Sequence, residues 1–172
     1  LNLQILVSGM HLSSEFGYTY KEIESDGFKI DEKIEILLSS DSPIGLSKSL
    51  GLGMISFSEA LDRLSPNLLV ILGDRFEAFA VAICAMLARV PIAHLHGGES
   101  TFGLIDEAIR HSITKMSSLH FVSTEEYRNR VIQLGEHPGT VKNVGAIGLD
   151  GVRKLNLLSK QDLEKNLGFK FN

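Results

Sequence analysis

The chain has one cysteine, no tryptophan, four prolines and aromatics at only 7% of its 172 residues. Cys84 has no partner, so an internal disulfide framework is excluded. A single thiol inside the apolar stretch AVAICAMLA predicts core packing and suits a reducing, cytoplasmic compartment. No apolar run reaches the roughly 18 residues of a membrane-spanning helix, so no membrane association is expected. Excess positive charge is missing too. Lys and Arg number 17 against 21 Asp and Glu, a net charge of −4, so a dominant nucleic-acid surface is not expected, although a local anion pocket remains compatible. There is no GxGxxG for a dinucleotide and no GxxxxGK[ST] for a phosphate loop. No cofactor is implied. No internal repeat, low-complexity tract or Gly/Ser/Pro-rich linker divides the chain.

What is present is ordinary globular composition, 44% hydrophobic and 22% charged, enough for one sizeable core. Short Val/Ile/Leu-rich runs alternate with amphipathic stretches. Strands are predicted over 3–8, 34–37, 68–72, 91–95, 119–123 and 141–144. Helices are predicted over 16–25, 46–64, 76–89, 104–117, 125–134, 149–157 and 160–167. Gly51 and Gly53 weaken the first half of 46–64. Near-continuous apolar strands alternating with helices define an α/β fold, a doubly wound parallel sheet of the Rossmann-like type. The runs 3–8, 68–72, 91–95, 119–123 and 141–144 are expected in one sheet. The chain opens on Leu1 and enters a strand-like run at once, and it stops soon after its last helix. That predicts a piece of a longer protein, with residues 1–150 as a domain and 151–172 leading towards a second one.

Function concentrates in residues 73–111, where polar motifs begin as buried runs end. LLVIL (68–72) runs into GDRFE (73–77), PIA (91–93) runs into HLHGGE (94–99), and DEAIRH (106–111) follows. Ligands of open α/β sheets bind just outside the carboxyl ends of the strands. Asp74, between a strand and a helix, reads either as a site carboxylate or as a helix N-cap. Arg75 is a planar cation suited to phosphate or carboxylate, or to a surface ion pair. His94 and His96, two apart on a strand, are expected on one face. Gly97 and Gly98 allow a tight turn and close backbone approach to a ligand. Asp106 and Arg110, and Glu107 and His111, are each spaced to share a helix face. Asp74, Glu99, Asp106 and Glu107 crowd carboxylates together without a Ser or Cys nucleophile. Crowding separates carboxylate pKa values, which suits acid–base work at a weakly acidic carbon. His94, His96 and Glu99 also admit a metal-dependent hydrolase reading, on the weak signal of one HxH pair.

In their order and spacing, GDRFE, HLHGGE and DEAIRHSITKMSSLHFVSTEEYRNRVIQLGE, with SGMHLSSEFGYTYKEIESDGF upstream, resemble the hydrolysing UDP-N-acetylglucosamine 2-epimerases, most of all their sialic- and legionaminic-acid branch. The likeness runs from about Val7 to about Asp150. It implies one half of a two-domain, GT-B-like enzyme, without its first strand and its second domain. It implies a UDP-sugar as ligand, UDP-N-acetylglucosamine or a 4-acetamido-4,6-dideoxy analogue, and a homo-oligomer as the full-length protein. The implied reaction removes the C2 proton, expels UDP to leave a 2-acetamidoglucal, and adds water to yield a free N-acetylmannosamine-type sugar. Asp74, His96, Glu99, Asp106 and Glu107 are then the expected catalytic set. Arg75, His94, Gly97, Gly98, Arg110 and His111 are the expected substrate-binding set, with no metal. Several relatives carry Glu where this chain has His96, so a proton-transfer role there passes to His96, to Glu99, or to neither. Alternative readings are a GT-B-type glycosyltransferase and a non-catalytic nucleotide-sugar-binding module. The isolated chain is expected to bind UDP weakly or not at all and not to turn over.

Overall fold

The computed structural model describes residues 1–38, 40, 42–153 and 155–171. Six parallel strands alternate with helices: β1 (Leu6–Ser8), α1 (Tyr20–Ser25), β2 (Glu32–Ile34), α2 (Pro43–Leu64), β3 (Leu69–Leu72), α3 (Phe76–Leu87), β4 (Ile92–Leu95), α4 (Ile105–Met116), β5 (Leu119–Val122), α5 (Glu125–Gln133), β6 (Val141–Asn143), α6 (Gly148–Arg153) and α7 (Lys160–Leu167). Short 3₁₀ turns follow β1 at Gly9–Leu12 and Ser14–Phe16 and precede β6 at Pro138–Thr140. Among the described residues no helix is long and apolar enough to cross a membrane.

The strands form two sheets, not the single one expected. Among the described residues β1 pairs with β2 alone, and a second sheet runs β3-β4-β5-β6. The β1–β2 ladder ends at the pair Ser8–Ile34 because Gly9, at φ 63°, turns the first chain away. The other chain stays extended enough to bury both Ile34 and Ile36, but nothing remains for it to pair with. Packing, not a ladder, unites the two sheets. Ile34 and Ile36 share one apolar cluster with Ile71 of β3, Phe57, Ala60 and Leu61 of α2, Ala80 and Ala85 of α3, and Ile109 and Ile113 of α4.

One face of the four-stranded sheet receives α2 to α5. Ile71, His94, His120 and Val141 lie side by side across it, and all four are buried. The opposite face leaves Val70, Leu72 and Leu119 exposed.

Local chemistry explains most departures from the expected boundaries. The helix expected from residue 16 starts only at Tyr20, because Gly17 and Tyr18 sit at φ 80° and 52°. Helix α2 is continuous through both of its doubtful glycines. Ser42 caps it, accepting from the Gly45 N–H at 3.0 Å, and Pro43 opens it. A β-carbon at Gly53 would meet Ile36 and Phe57 at 3.3 Å and Ala80 at 3.4 Å, so this glycine lets α2 lie tightly on β2 and α3. That packing outweighs the cost of glycine in a helix, about 1 kcal/mol. The helix expected over 149–157 spans Gly148–Arg153 and does not include 155–157, while residue 154 lies outside the described residues. Cys84 is buried in the core, and burial raises its thiol pKa.

Candidate active site

Two strand ends meet around one side chain. Arg110, on α4, is 6% exposed and reaches the loops after β3 and β4 together. Its guanidinium donates to Asp74 Oδ2, to the Glu99 carbonyl oxygen at 2.9 Å and to Thr101 Oγ1 at 2.9 Å. A planar fork with several N–H groups holds three acceptors in different directions, which a point charge cannot do. The sequence spacing suggested that Arg110 pairs with Asp106 one helical turn away. The structure instead gives it Asp74, 36 residues distant.

Asp74 is therefore not the cap of α3. That helix begins at Phe76, its cap position is Arg75, and no side chain caps it. Arg75 is mostly exposed, 3.4 Å from Glu77. Together with Gly9, Met10, Leu38, Phe76 and Asp106 it borders a cavity of about 740 Å3, a volume in the range of small-ligand sites. Asp106 forms no hydrogen bond or ion pair among the described residues, so its carboxylate is free at the cavity wall. Glu77, which motif reading passed over, also packs against the first loop. A β-carbon at Gly9 would fall 2.4 Å from its carboxylate.

The two histidines of HLH part company, contrary to their expected common face. β4 ends at Leu95, and His96 adopts φ 64°, so the two-residue alternation of a strand no longer applies to it. His94 is wholly buried. Its Nε2 lies 2.9 Å from the Gly73 carbonyl, to which it donates, and its Nδ1 lies 3.2 Å from Thr114 Oγ1. It ties the end of β3 to α4 from within. His96 is about a quarter exposed, with Nδ1 2.7 Å from Glu99 Oε1. Ser123, at the end of β5, donates to that same carboxylate oxygen at 3.1 Å. Since His94 points into the sheet, it cannot join His96 and Glu99 around an ion. Among the described residues no three His, Cys, Asp or Glu side chains are grouped to hold a metal.

Glu107 accepts from the Thr101 N–H at 2.7 Å and from Ser100 Oγ at 3.1 Å, and the backbone bond leads in holding its pKa below the usual value. His111 lies 3.8 Å from Glu107 and borders a separate shallow hollow with Phe79, Lys115 and Met116. Gly97 and Gly98 serve close packing of the loop on its own scaffold. A β-carbon at Gly98, where φ is 80°, would lie 2.4 Å from the Tyr127 carbonyl oxygen on α5, and one at Gly97 would lie 3.0 Å from Thr114 Oγ1.

Burial pushes the His94 pKa down to about 4, against an ordinary 6.5. Between those values an unfolded chain takes up a proton that the folded one refuses. Stability contributed by the neutral ring is therefore full above about pH 6.5 and falls as the pH drops towards 4. We expect roughly 2 kcal/mol of stability to be lost through His94 between pH 7 and pH 5. Urea unfolding at the two values, compared with His94→Gln, measures it. A variant with the same pH slope as the wild type would show that His94 is not the responsible group.

Parallel strands, helices packed on the sheet and an acid-rich cluster at the strand ends define an α/β fold of the Rossmann-like type. The chain belongs to the UDP-N-acetylglucosamine 2-epimerase family, whose model matches residues 1–171. It is 51% identical over 172 residues to the GDP/UDP-N,N'-diacetylbacillosamine 2-epimerase (hydrolyzing) of Campylobacter jejuni, covering all of this chain and 44% of that protein. It is 43% identical over 168 residues to the polysialic acid biosynthesis protein P7 of Escherichia coli, covering 98% and 43%. Identity to the UDP-N,N'-diacetylbacillosamine 2-epimerase (hydrolyzing) of Legionella pneumophila is 37% over 169 residues, covering 98% and 45%. The chain thus spans under half the length of these relatives. A crystal structure of a putative UDP-N-acetylglucosamine 2-epimerase from Listeria monocytogenes superposes with a TM-score of 0.80 at 18% identity, covering 96% of this chain and 43% of that one. The Neisseria meningitidis UDP-GlcNAc 2-epimerase bound to UDP-GlcNAc gives 0.74 at 19%, covering 96% and 46%. These two likenesses concern the fold.

Proposed function

We propose that the full-length protein is a hydrolysing UDP-sugar 2-epimerase, and that this chain carries its acid–base side. The reading rests on one observation above the others. Asp74, His96 and Glu99 converge at successive strand ends, gathered through Arg110 and Ser123, in a chain 51% identical to an enzyme named for that reaction. The reaction needs a group to take the C2 proton and a group to return one. Asp74, fixed in orientation by Arg110, and the free carboxylate of Asp106 at the cavity wall are suited to these tasks. Arg75 at the same wall is suited to the diphosphate. Glu107 is engaged in holding Ser100 and Thr101, which fits a supporting role better than direct chemistry.

For the sugar, we propose a 2,4-diacetamido-2,4,6-trideoxy derivative on the way to a nonulosonic acid, because two of the relatives are named for diacetylbacillosamine. The test is the full-length protein in heavy water with this UDP-sugar and with UDP-N-acetylglucosamine, followed by NMR of the products. We expect free 2-epimeric sugar, UDP, and one deuterium at C2. A glycosyltransferase or a simple hydrolase would leave the original hydrogen at C2, and full retention would overturn the proposal.

A further inference from the structure

We infer that His96 and Glu99 act as one unit, in which the imidazole moves the proton and Glu99, seconded by Ser123, is a positioning residue. The inference rests on the epimerase reading and deepens it. Its first support is direction. His96 Nδ1 and Ser123 Oγ both meet the single oxygen Oε1 of Glu99, at 2.7 and 3.1 Å. A carboxylate only accepts, so Nδ1 carries a hydrogen, and in the neutral ring Nε2 then carries the lone pair. Nε2 has no hydrogen-bond partner among the described residues, and the ring is only partly covered. The basic nitrogen is therefore the one turned away from the scaffold.

The second support is independent of the side chains. Among the described residues His96 is one of four non-glycine residues at positive φ, and the only one of them in the three polar motifs. Its N–H bonds the Phe121 carbonyl at 2.9 Å, extending the β4–β5 pairing one step beyond the strand. That bond holds a left-handed backbone, which most side chains disfavour although histidine is among those found there more often. Strain of this kind persists where the surroundings over-determine it, and it gathers at working sites. Here it lifts residue 96 out of the strand's alternation and brings its ring to Glu99. With Asp74 and Asp106 serving C2, Nε2 of the neutral ring can take the proton that water gives up as its oxygen bonds C1 of the glycal, and then pass that proton to solvent. On accepting it, the ring becomes imidazolium facing an ionised Glu99, and on releasing it the ring returns to neutral. One proton enters and one leaves, and Glu99 stays a carboxylate throughout, as the buried acid does in a histidine–aspartate pair.

The two roles separate in a double-mutant cycle on the full-length enzyme. Glu99→Gln and His96→Gln are each expected to lower kcat roughly 10²-fold with little change in KM. The double variant is expected to fall no further, because Glu99 has nothing to act through once the imidazole is gone. Losses that multiply would mean that Glu99 touches the substrate on its own and would overturn the inference. Ser123→Ala, expected to cost about tenfold, checks the third member. A readout without turnover completes the test. Imidazole 15N NMR of this chain at neutral pH should show His96 with Nδ1 protonated and Nε2 bare, and Glu99→Gln should disturb that pattern. The opposite tautomer in the wild type also overturns the inference. Absence of C2 deuterium in the wild-type product, by contrast, sinks the epimerase reading and leaves the NMR result standing.

Discussion

Replacing Arg110 with methionine is expected to cost the fold about 3–5 kcal/mol, the usual penalty for breaking a buried ion pair from one side. Methionine keeps most of the volume and the unbranched stem, so the loss isolates the guanidinium. Three acceptors lose their donor at once: the Asp74 carboxylate, the Glu99 carbonyl and Thr101 Oγ1. Asp74 is left charged in a largely covered position. Arg110→Lys should recover little, since one ammonium cannot face three directions. Adding Asp74→Asn to Arg110→Met should restore part of the loss, because the stranded charge is then gone. Urea unfolding of the chain measures all four proteins. A loss below about 1 kcal/mol for Arg110→Met would mean that the guanidinium is not the tie between the two loops.

The second large effect belongs to Asp74 in the full-length enzyme. Asp74→Asn is nearly isosteric and keeps an oxygen for Arg110, so the loops should hold. It removes the group able to take up and release a proton. Turnover should fall by roughly 10²–10⁴-fold, with substrate affinity changed far less. Deuterium entry at C2 should fall in parallel. If turnover drops while deuterium exchange into unconverted substrate continues at the wild-type rate, proton removal belongs to another group, with Asp106 and His96 next in line. Measuring the stability of the same variant in this chain separates lost chemistry from a loosened fold.

The sequence made much of this site legible for a simple reason. In a parallel α/β sheet ligand chemistry gathers just beyond the carboxyl ends of the strands, and there the apolar runs give way to polar motifs. That places GDR, HGGE and, one strand further, VST at a common edge. The partners were not legible. Arg110 could pair with Asp106 at helical spacing or with Asp74 across the sheet, and only the packing of α4 against β3 and β4 decides between them. Ser123 carried no motif of its own, although its position at the end of β5 was a usable signal. Reading His94 and His96 as a same-face pair failed because one backbone angle ends the alternation at Leu95. The single-sheet expectation failed because composition identifies buried strands without showing which edges lie within ladder reach.

Arg110 grips the carbonyl oxygen of residue 99, not its side chain. Every amino acid supplies that oxygen. The grip of α4 on this loop therefore does not depend on which side chain residue 99 carries, as long as residue 110 stays arginine. The backbone of Glu99 serves the architecture and its carboxylate serves His96 and Ser123, so one residue carries two duties that a side-chain substitution separates.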